Sequence, residues 1–177
     1  MSKARIATVW LDGCSGCHMS LLDMDEKLVE IADQIDLVYS PLVDAREFPE
    51  GVDVTLVEGA VSSVDDVEKV RLIRQRTRIL VAFGDCAVTS NVPAMRNEFK
   101  LEDVLHRGYE ENASHAPKIP TVGVPRLLAT VRPVHEYVAV DVFLPGCPPP
   151  ADAIGYLFSE LLQGRVPDLA GRSRFGA

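Results

Sequence analysis

The chain contains 177 residues, carries a formal net charge of −8 and is 47% hydrophobic. A chain of this length can bury a full core without disulfide bridges, so a single domain over residues 1–177 is expected. The acidic balance argues against nucleic acid or an anionic membrane as a partner. No apolar run reaches the roughly 20 residues that span a bilayer. The chain leads from Met1 straight into a strand without an export leader, which predicts a cytoplasmic protein.

Short apolar runs alternate with amphipathic helical patterns along the chain. Strands are predicted over residues 6–11, 35–39, 52–57, 79–83 and 138–144. Helices are predicted from Cys17 to about Ala32, from Val64 onward with Ser63 as the N-cap, and over a last segment that Gly164 ends. Apolar strands separated by helices are typical of a parallel sheet covered on both faces. The predicted fold is therefore α/β, a flavodoxin-like doubly wound parallel sheet of about five strands.

Residues 101–136 break this alternation. The segment holds four prolines and shows only weak periodicity, so a long irregular excursion is predicted. Connections of this length inside a compact domain tend to be functional. Two interpretations stay open: a surface excursion with a turn or two of helix, or a docking surface for another subunit.

Each of the four cysteines follows a predicted strand. Cys14 and Cys17 come after the first strand, Cys86 after the fourth and Cys147 after the fifth. Open α/β sheets place their ligands at the carboxyl ends of the strands, so the four thiols are expected to meet at one edge. In a cytoplasmic chain, four cysteines favour metal or redox chemistry over structural disulfides.

An all-thiolate set suits zinc or an iron–sulfur cluster. Structural zinc sites usually use two close pairs, whereas this set is one pair and two distant single cysteines, which favours a [4Fe-4S] cluster. The alternatives are zinc, a thioredoxin-like redox pair at Cys14 and Cys17, and four unrelated buried thiols. Gly13 and Gly146 are expected to let the backbone approach the bound group.

A flavin is not expected at the usual flavodoxin position. Flavodoxins hold the FMN phosphate in a hydroxyl-rich loop after the first strand. In this chain the same loop carries cysteines, with only Ser15 and Ser20 nearby. The sequence also lacks a glycine-rich nucleotide loop elsewhere.

Several stretches of the sequence resemble the small subunit of [NiFe] hydrogenases. They are WLDGCSGCH at 10–18, VEGAV at 57–61, GDCAVT at 84–89, NVPAMRN at 91–97 and VDVFLPGCPP at 140–149. The 20-kDa-type subunit of respiratory NADH:quinone oxidoreductases is similar in fold, but its first cysteines are adjacent. Thirty residues follow Cys147 and none is Cys or His. This shortness makes the chain look most like the small subunit of cytoplasmic NAD-reducing (bidirectional) [NiFe] hydrogenases.

The resemblance implies a hydrogenase complex that converts H2 and NAD+ to NADH and H+. It implies that this chain holds one proximal [4Fe-4S] cluster through Cys14, Cys17, Cys86 and Cys147. A separate large subunit would carry the NiFe centre. A ferredoxin-like Fe-S subunit and an FMN/NAD-binding diaphorase subunit would carry the further clusters and the flavin. The small subunit would relay electrons and break no bond itself.

Three other residues near the cysteines have two interpretations each. Glu58 closes the third strand and is either a proton-relay carboxylate facing the large subunit or a carboxylate held by loop amides. Trp10 is either packed beside the cluster or a plain core aromatic. His18 either bonds a cluster sulfur or lies at the surface or an interface, and it is not expected to bind iron. Rival functions are a quinone-oxidoreductase or ferredoxin-linked hydrogenase subunit and a zinc-bound interaction module.

Overall fold

The structure, a computed structural model, describes residues 3–176 of the chain. These residues contain seven strands: β1 (Ala4–Trp10), β2 (Ile35–Tyr39), β3 (Val52–Glu58), β4 (Val61–Ser63), β5 (Thr77–Phe83), β6 (Leu127–Arg132) and β7 (Val142–Leu144). Five of them form a parallel sheet in the order β2-β1-β3-β5-β7. This order is that of a flavodoxin-like sheet, so the predicted fold class is confirmed. The prediction that the chain enters β1 directly from Met1 and Ser2 concerns residues outside the described range.

Six α-helices accompany the strands in the described part of the chain. They are α1 (Gly16–Leu22), α2 (Glu26–Ile31), α3 (Val64–Arg76), α4 (Asp85–Thr89), α5 (Leu101–His106) and α6 (Ala151–Leu162). Two 3₁₀ turns cover Val92–Glu98 and Val134–Glu136, and a π turn covers Arg107–Glu111. None of the helices within residues 3–176 is long and apolar enough to cross a membrane.

The sheet buries apolar side chains on both faces. On β5, Val81 and Phe83 belong to one core cluster with α1 and α6, while Leu80 and Ala82 belong to a second cluster with α3. All four side chains are fully buried. Coverage on both faces explains why the strands read as continuous apolar runs rather than as an alternating pattern.

The long first helix was predicted wrongly, because the chain breaks between α1 and α2. Asp25 has a φ of +48° and a ψ of −117°, which no α-helix accommodates. The N–H groups of Met24 and Asp25 donate to carbonyls three residues back, at 3.3 and 3.1 Å. Leu21, Met24 and Leu28 all contact the same core cluster, so the apolar spacing continues across the break and hides it.

The fifth predicted strand is shorter in the structure, since only β7 of the run 138–144 pairs with β5. Val138 and Val140 pack against the α3-side cluster without joining the sheet. The carboxylate of Asp141 accepts the N–H of Leu80 at 2.7 Å and a bond from Arg74 at 2.5 Å. These side-chain bonds add to the main-chain bond from the Asp141 N–H to the Leu80 carbonyl, at 2.9 Å, ahead of β7.

Residues 101–136 contain more regular structure than predicted. The segment includes α5, and its strand β6 pairs antiparallel with β4. Arg96 joins the two by donating to the carbonyls of Ser62 and Leu128 at 3.2 and 3.0 Å. The partner strand lies more than sixty residues earlier in the chain, so local periodicity did not indicate this pairing.

Candidate functional site

The structure brings the four cysteines to one small cavity at the carboxyl edge of the parallel sheet. The cavity has a volume of about 70 Å³. Its lining consists of Cys14, Gly16, Cys17, Glu58, Asp85, Cys86, Gly146, Cys147 and Pro148. Cys17 is buried, Cys86 is half-buried, and the other two cysteines are exposed. Thiols from three loops therefore face one space.

The turn between β1 and α1 presents the first two cysteines. Ser15 has a φ of +69°, and the main-chain N–H of Gly16 donates to Cys14 Sγ at 3.4 Å. Cys17 then lies in the first turn of α1, where it packs into the core. A Cβ on Gly13 would lie 3.2 Å from the Cα of Gly59, so this glycine lets the turn approach the end of β3.

The loop after β5 presents Cys86 close to Cys17. Gly84 has a φ of +84°, and a Cβ at this position would overlap Cys17 Sγ. The N–H of Gly84 donates to the Leu144 carbonyl at 2.8 Å, which continues the β5–β7 pairing beyond the strands. Sequence reasoning did not single out Gly84, although its place directly after an apolar strand was a usable signal.

The loop after β7 presents Cys147. Gly146 has a φ of +137°, and a Cβ there would lie 2.5 Å from the Cα of Pro149. The side-chain amide of Asn91 donates to Cys147 Sγ at 3.7 Å. Asn91 itself has a φ of +33° and directly follows Ser90, which has a φ of +69°. The chain thus has two consecutive non-glycine residues with positive φ where it places this donor.

Two of the four thiols that line the cavity, those of Cys17 and Cys86, have raised pKa values. Burial raises the pKa of the Cys17 thiol far above its usual range, and Glu58 and the other three thiols raise it further. Burial likewise raises the pKa of the Cys86 thiol to about 11, with added contributions from Cys14 and Cys147. A positively charged group in the cavity would reverse this balance, because it stabilises the thiolates and releases their protons.

This donor set fits an iron–sulfur cluster. Four thiols around a cavity are the Cys₄ arrangement that such clusters use. Within residues 3–176, no three His, Cys, Asp or Glu side chains stand close enough to hold a single metal ion between them. N–H groups are directed at the sulfur atoms of Cys14 and Cys147. Hydrogen bonds of this kind would tune the potential of a bound cluster.

Glu58 lies beside the thiols and contacts His18. It is 2% exposed, and its Oε2 accepts the main-chain N–H of His18 at 3.1 Å and also contacts the ring Nδ1. The indole N–H of Trp10 points to the same Nδ1 at 2.6 Å. Because His18 is 2% exposed, the expectation of a surface or interface histidine was wrong. Trp10 is 38% exposed and packs edge-on against His18, so it is not a plain core aromatic.

Comparison with known protein families and proteins gives a consistent result. The sequence model of the family described as NADH ubiquinone oxidoreductase, 20 Kd subunit, matches residues 14–161. The delta subunit of the NAD-reducing hydrogenase HoxS of Cupriavidus necator is 41% identical over 94% of this chain and 82% of that protein. A subunit of the F420-non-reducing hydrogenase vhu of Methanocaldococcus jannaschii is 36% identical over 93% of this chain. The chain spans 58% of the length of that archaeal relative.

Solved structures resemble the chain over nearly its whole length. A chain in the crystal structure of an NAD+-reducing [NiFe]-hydrogenase in the H2-reduced state superposes with a TM-score of 0.93 at 39% identity. The match covers 98% of this chain and 99% of that one. A chain of the Dm. baculatum [NiFeSe]-hydrogenase gives a TM-score of 0.63 at 21% identity, over 99% of this chain and 70% of that one, and shares the fold.

Proposed function

This chain belongs to the family described as the 20 Kd subunit of NADH ubiquinone oxidoreductase and, within it, to the small subunits of hydrogenases; from that membership we propose that it is the electron-transfer subunit of an NAD-reducing [NiFe] hydrogenase. The family comparisons confirm the resemblance that the cysteine motifs indicated. The observation that carries the electron-transfer role is the convergence of four cysteines on one cavity.

In the proposed site, Cys14, Cys17, Cys86 and Cys147 hold one [4Fe-4S] cluster, which accepts and passes on single electrons when bound. The protein supplies the thiolates, an N–H donor to Cys14 and another to Cys147, and a wall of apolar side chains behind Cys17. Gly13 and Gly146 allow the close backbone approaches that the cavity requires. We assign no flavin to the turn after β1. The absence of a flavin at this position stays a prediction.

The proposed partners follow the division of labour in NAD-reducing hydrogenases. A large subunit would carry the NiFe centre, and a ferredoxin-like Fe-S subunit and an FMN/NAD-binding diaphorase subunit would pass electrons to NAD+. Exposed apolar side chains beside the cysteine loops support a covering subunit: Met19 is 61%, Val92 61% and Met95 69% exposed. Val122, in the segment interpreted as a docking surface, is 90% exposed. A cytoplasmic location stays a prediction.

The decisive experiment is metal and sulfide analysis of the tagged chain purified without oxygen together with its partners. The wild type should contain about four iron and four sulfide beyond the partner content, with a low-temperature EPR signal from the cluster. The Cys86→Ala variant should lose this signal, whereas Ser159→Ala, on an exposed face of α6, should retain it. One zinc per chain without sulfide would contradict the proposal and favour an interaction module.

A further inference from the structure

The carboxylate of Asp85 connects three segments at the cysteine edge of the sheet. Asp85 is 5% exposed and directly precedes Cys86. Its Oδ1 accepts the main-chain N–H of Gly146 at 2.6 Å, and its Oδ2 accepts the main-chain N–H of Gly176 at 2.7 Å. Its own N–H donates to the Gly146 carbonyl at 2.9 Å. One residue therefore joins α4, the loop of Cys147 and the C-terminal segment.

The chemistry of these contacts requires an acid at position 85. Both side-chain partners are N–H donors, and a carboxylate offers an acceptor oxygen to each. An asparagine would turn its amino group toward one of the two donors. Burial of a carboxylate costs free energy unless such bonds compensate it, so the double contact accounts for the presence of Asp85.

The C-terminal strap (residues 171–176) adds two further contacts to the same region. The hydroxyl of Ser173 donates to the carbonyl of Pro145, two residues before Cys147. The guanidinium of Arg172 lies 3.7 Å from the centre of a tyrosine ring on α6. The strap is thus held at α6, at the Cys147 loop and at Asp85, and it lies against the loops that present two of the four cysteines.

We propose that Asp85 is a positioning residue that, together with the C-terminal strap, holds Cys86 and Cys147 at a set separation and slows loss of the bound cluster. The inference rests on the proposed cluster. Cys147 is exposed and lies outside any helix or strand, and Cys86 lies in the short helix α4. The bonds between Asp85 and Gly146 connect the two loops directly, next to both cysteines.

The test compares three variants of the complex purified without oxygen: Asp85→Asn, Ser173→Ala and Asp12→Asn. Asp12 is the matched control, since it lies in the turn after β1 and its main chain bridges to Ala60. Cluster loss in excess iron chelator is followed by decay of the EPR signal that the Cys86→Ala variant lacks, because the proposed partner clusters and FMN also absorb visible light. The EPR g values are recorded beforehand. We expect loss about tenfold faster in Asp85→Asn and about threefold faster in Ser173→Ala.

The proposal is supported if the EPR g values change in Asp85→Asn and stay at the wild-type values in Asp12→Asn. Such a change indicates displaced cysteines, because general destabilisation would not alter the g values. Wild-type rates and g values in Asp85→Asn overturn the proposal. If Asp85→Asn yields no complex, Ser173→Ala decides: faster loss supports the strap, and a wild-type rate overturns it. A wild-type complex without iron and sulfide in this chain contradicts the proposed function itself. This result is distinct from failure of the Asp85 proposal, in which the cluster is present but does not depend on Asp85.

Discussion

The buried carboxylate of Glu58 lies beside the four cysteines. Glu58 finds its hydrogen-bond partners on His18, forty residues earlier in the chain. Its charge contributes to the raised pKa values of Cys17 and Cys86, after the larger effect of burial. The position of Glu58 at the carboxyl edge of the sheet was predictable from the sequence, because the end of a strand is a local feature. Its contact with a buried histidine depends on how the turn after β1 meets β3.

With the proposed cluster bound, the charge of Glu58 is expected to lower its reduction potential. Glu58→Gln should shift the midpoint potential in the positive direction, because removing a negative charge makes an added electron less unfavourable. The glutamine oxygen can still accept the main-chain N–H of His18, so the turn should keep its structure. The measurement is an EPR-monitored redox titration of the complex.

Glu68→Gln, on an exposed position of α3, is the control for this titration and should leave the potential unchanged. An unchanged or more negative potential in Glu58→Gln would show that the carboxylate does not act through its charge.

At the scale of elements, the start of α3 was predictable and the break after α1 was not. Ser63 accepts the N–H of Asp66 at 3.1 Å, and the Asp66 carboxylate accepts the N–H of Ser63 at 2.9 Å, which forms a complete capping box. This signal occupies four consecutive residues. The break near Asp25 leaves the apolar spacing intact, because α1 and α2 pack on one core cluster.

Ser63→Ala should weaken the first turn of α3 by about 1 kcal/mol, since the N–H of Asp66 loses its acceptor. The expected result is a roughly fivefold loss of hydrogen-exchange protection over the first turn of α3, measured in the complex. Ser63→Thr keeps the hydroxyl and should restore most of the protection. Equal protection in the Ser63→Ala and Ser63→Thr variants would mean that the pairing of β4 with β6, rather than the N-cap, stabilises the start of α3.

At the scale of the whole molecule, metal-free and metal-bound chains should respond differently to pH. In the folded metal-free chain, burial raises the pKa of Cys17 and raises that of Cys86 to about 11, above the ordinary thiol value. As pH rises past the ordinary value, thiols in the unfolded chain ionise first and lose protons that the folded chain still holds. The unfolded state is therefore increasingly favoured as pH approaches the folded pKa values.

The free energy of unfolding of the metal-free chain should accordingly have its maximum value at about pH 8 and a lower value at about pH 10.5. Urea titrations at the two pH values measure this change. A variant with both Cys17→Ser and Cys86→Ser should show a much smaller fall. The metal-bound chain should also show little decrease in the free energy of unfolding, because its cysteines already bind the metal as thiolates. A pH response in the double variant as large as in the wild type would assign the effect to other groups.

The sequence by itself determined the parallel sheet, its approximate strands and the edge where the cysteines lie. These features follow from periodicity and from residues directly after strand ends, which are local properties of the chain. The resemblance in the cysteine motifs likewise identified the family. The strand β6 escaped prediction, because its pairing with β4 joins distant segments of the chain. The strand at 138–144 was predicted, but the structure shortens it to β7.

Only the tertiary structure decided how the four cysteines are held. Gly84 contacts Cys17 across two loops, Glu58 binds His18, and Asp85 joins Gly146 sixty-one residues away and Gly176 ninety-one residues away. Each contact joins segments that are far apart in the sequence and meet only in the folded chain. Motif spacing specifies which residues face the edge, whereas the folded chain sets their separations, their hydrogen bonds and the electrostatics of the site.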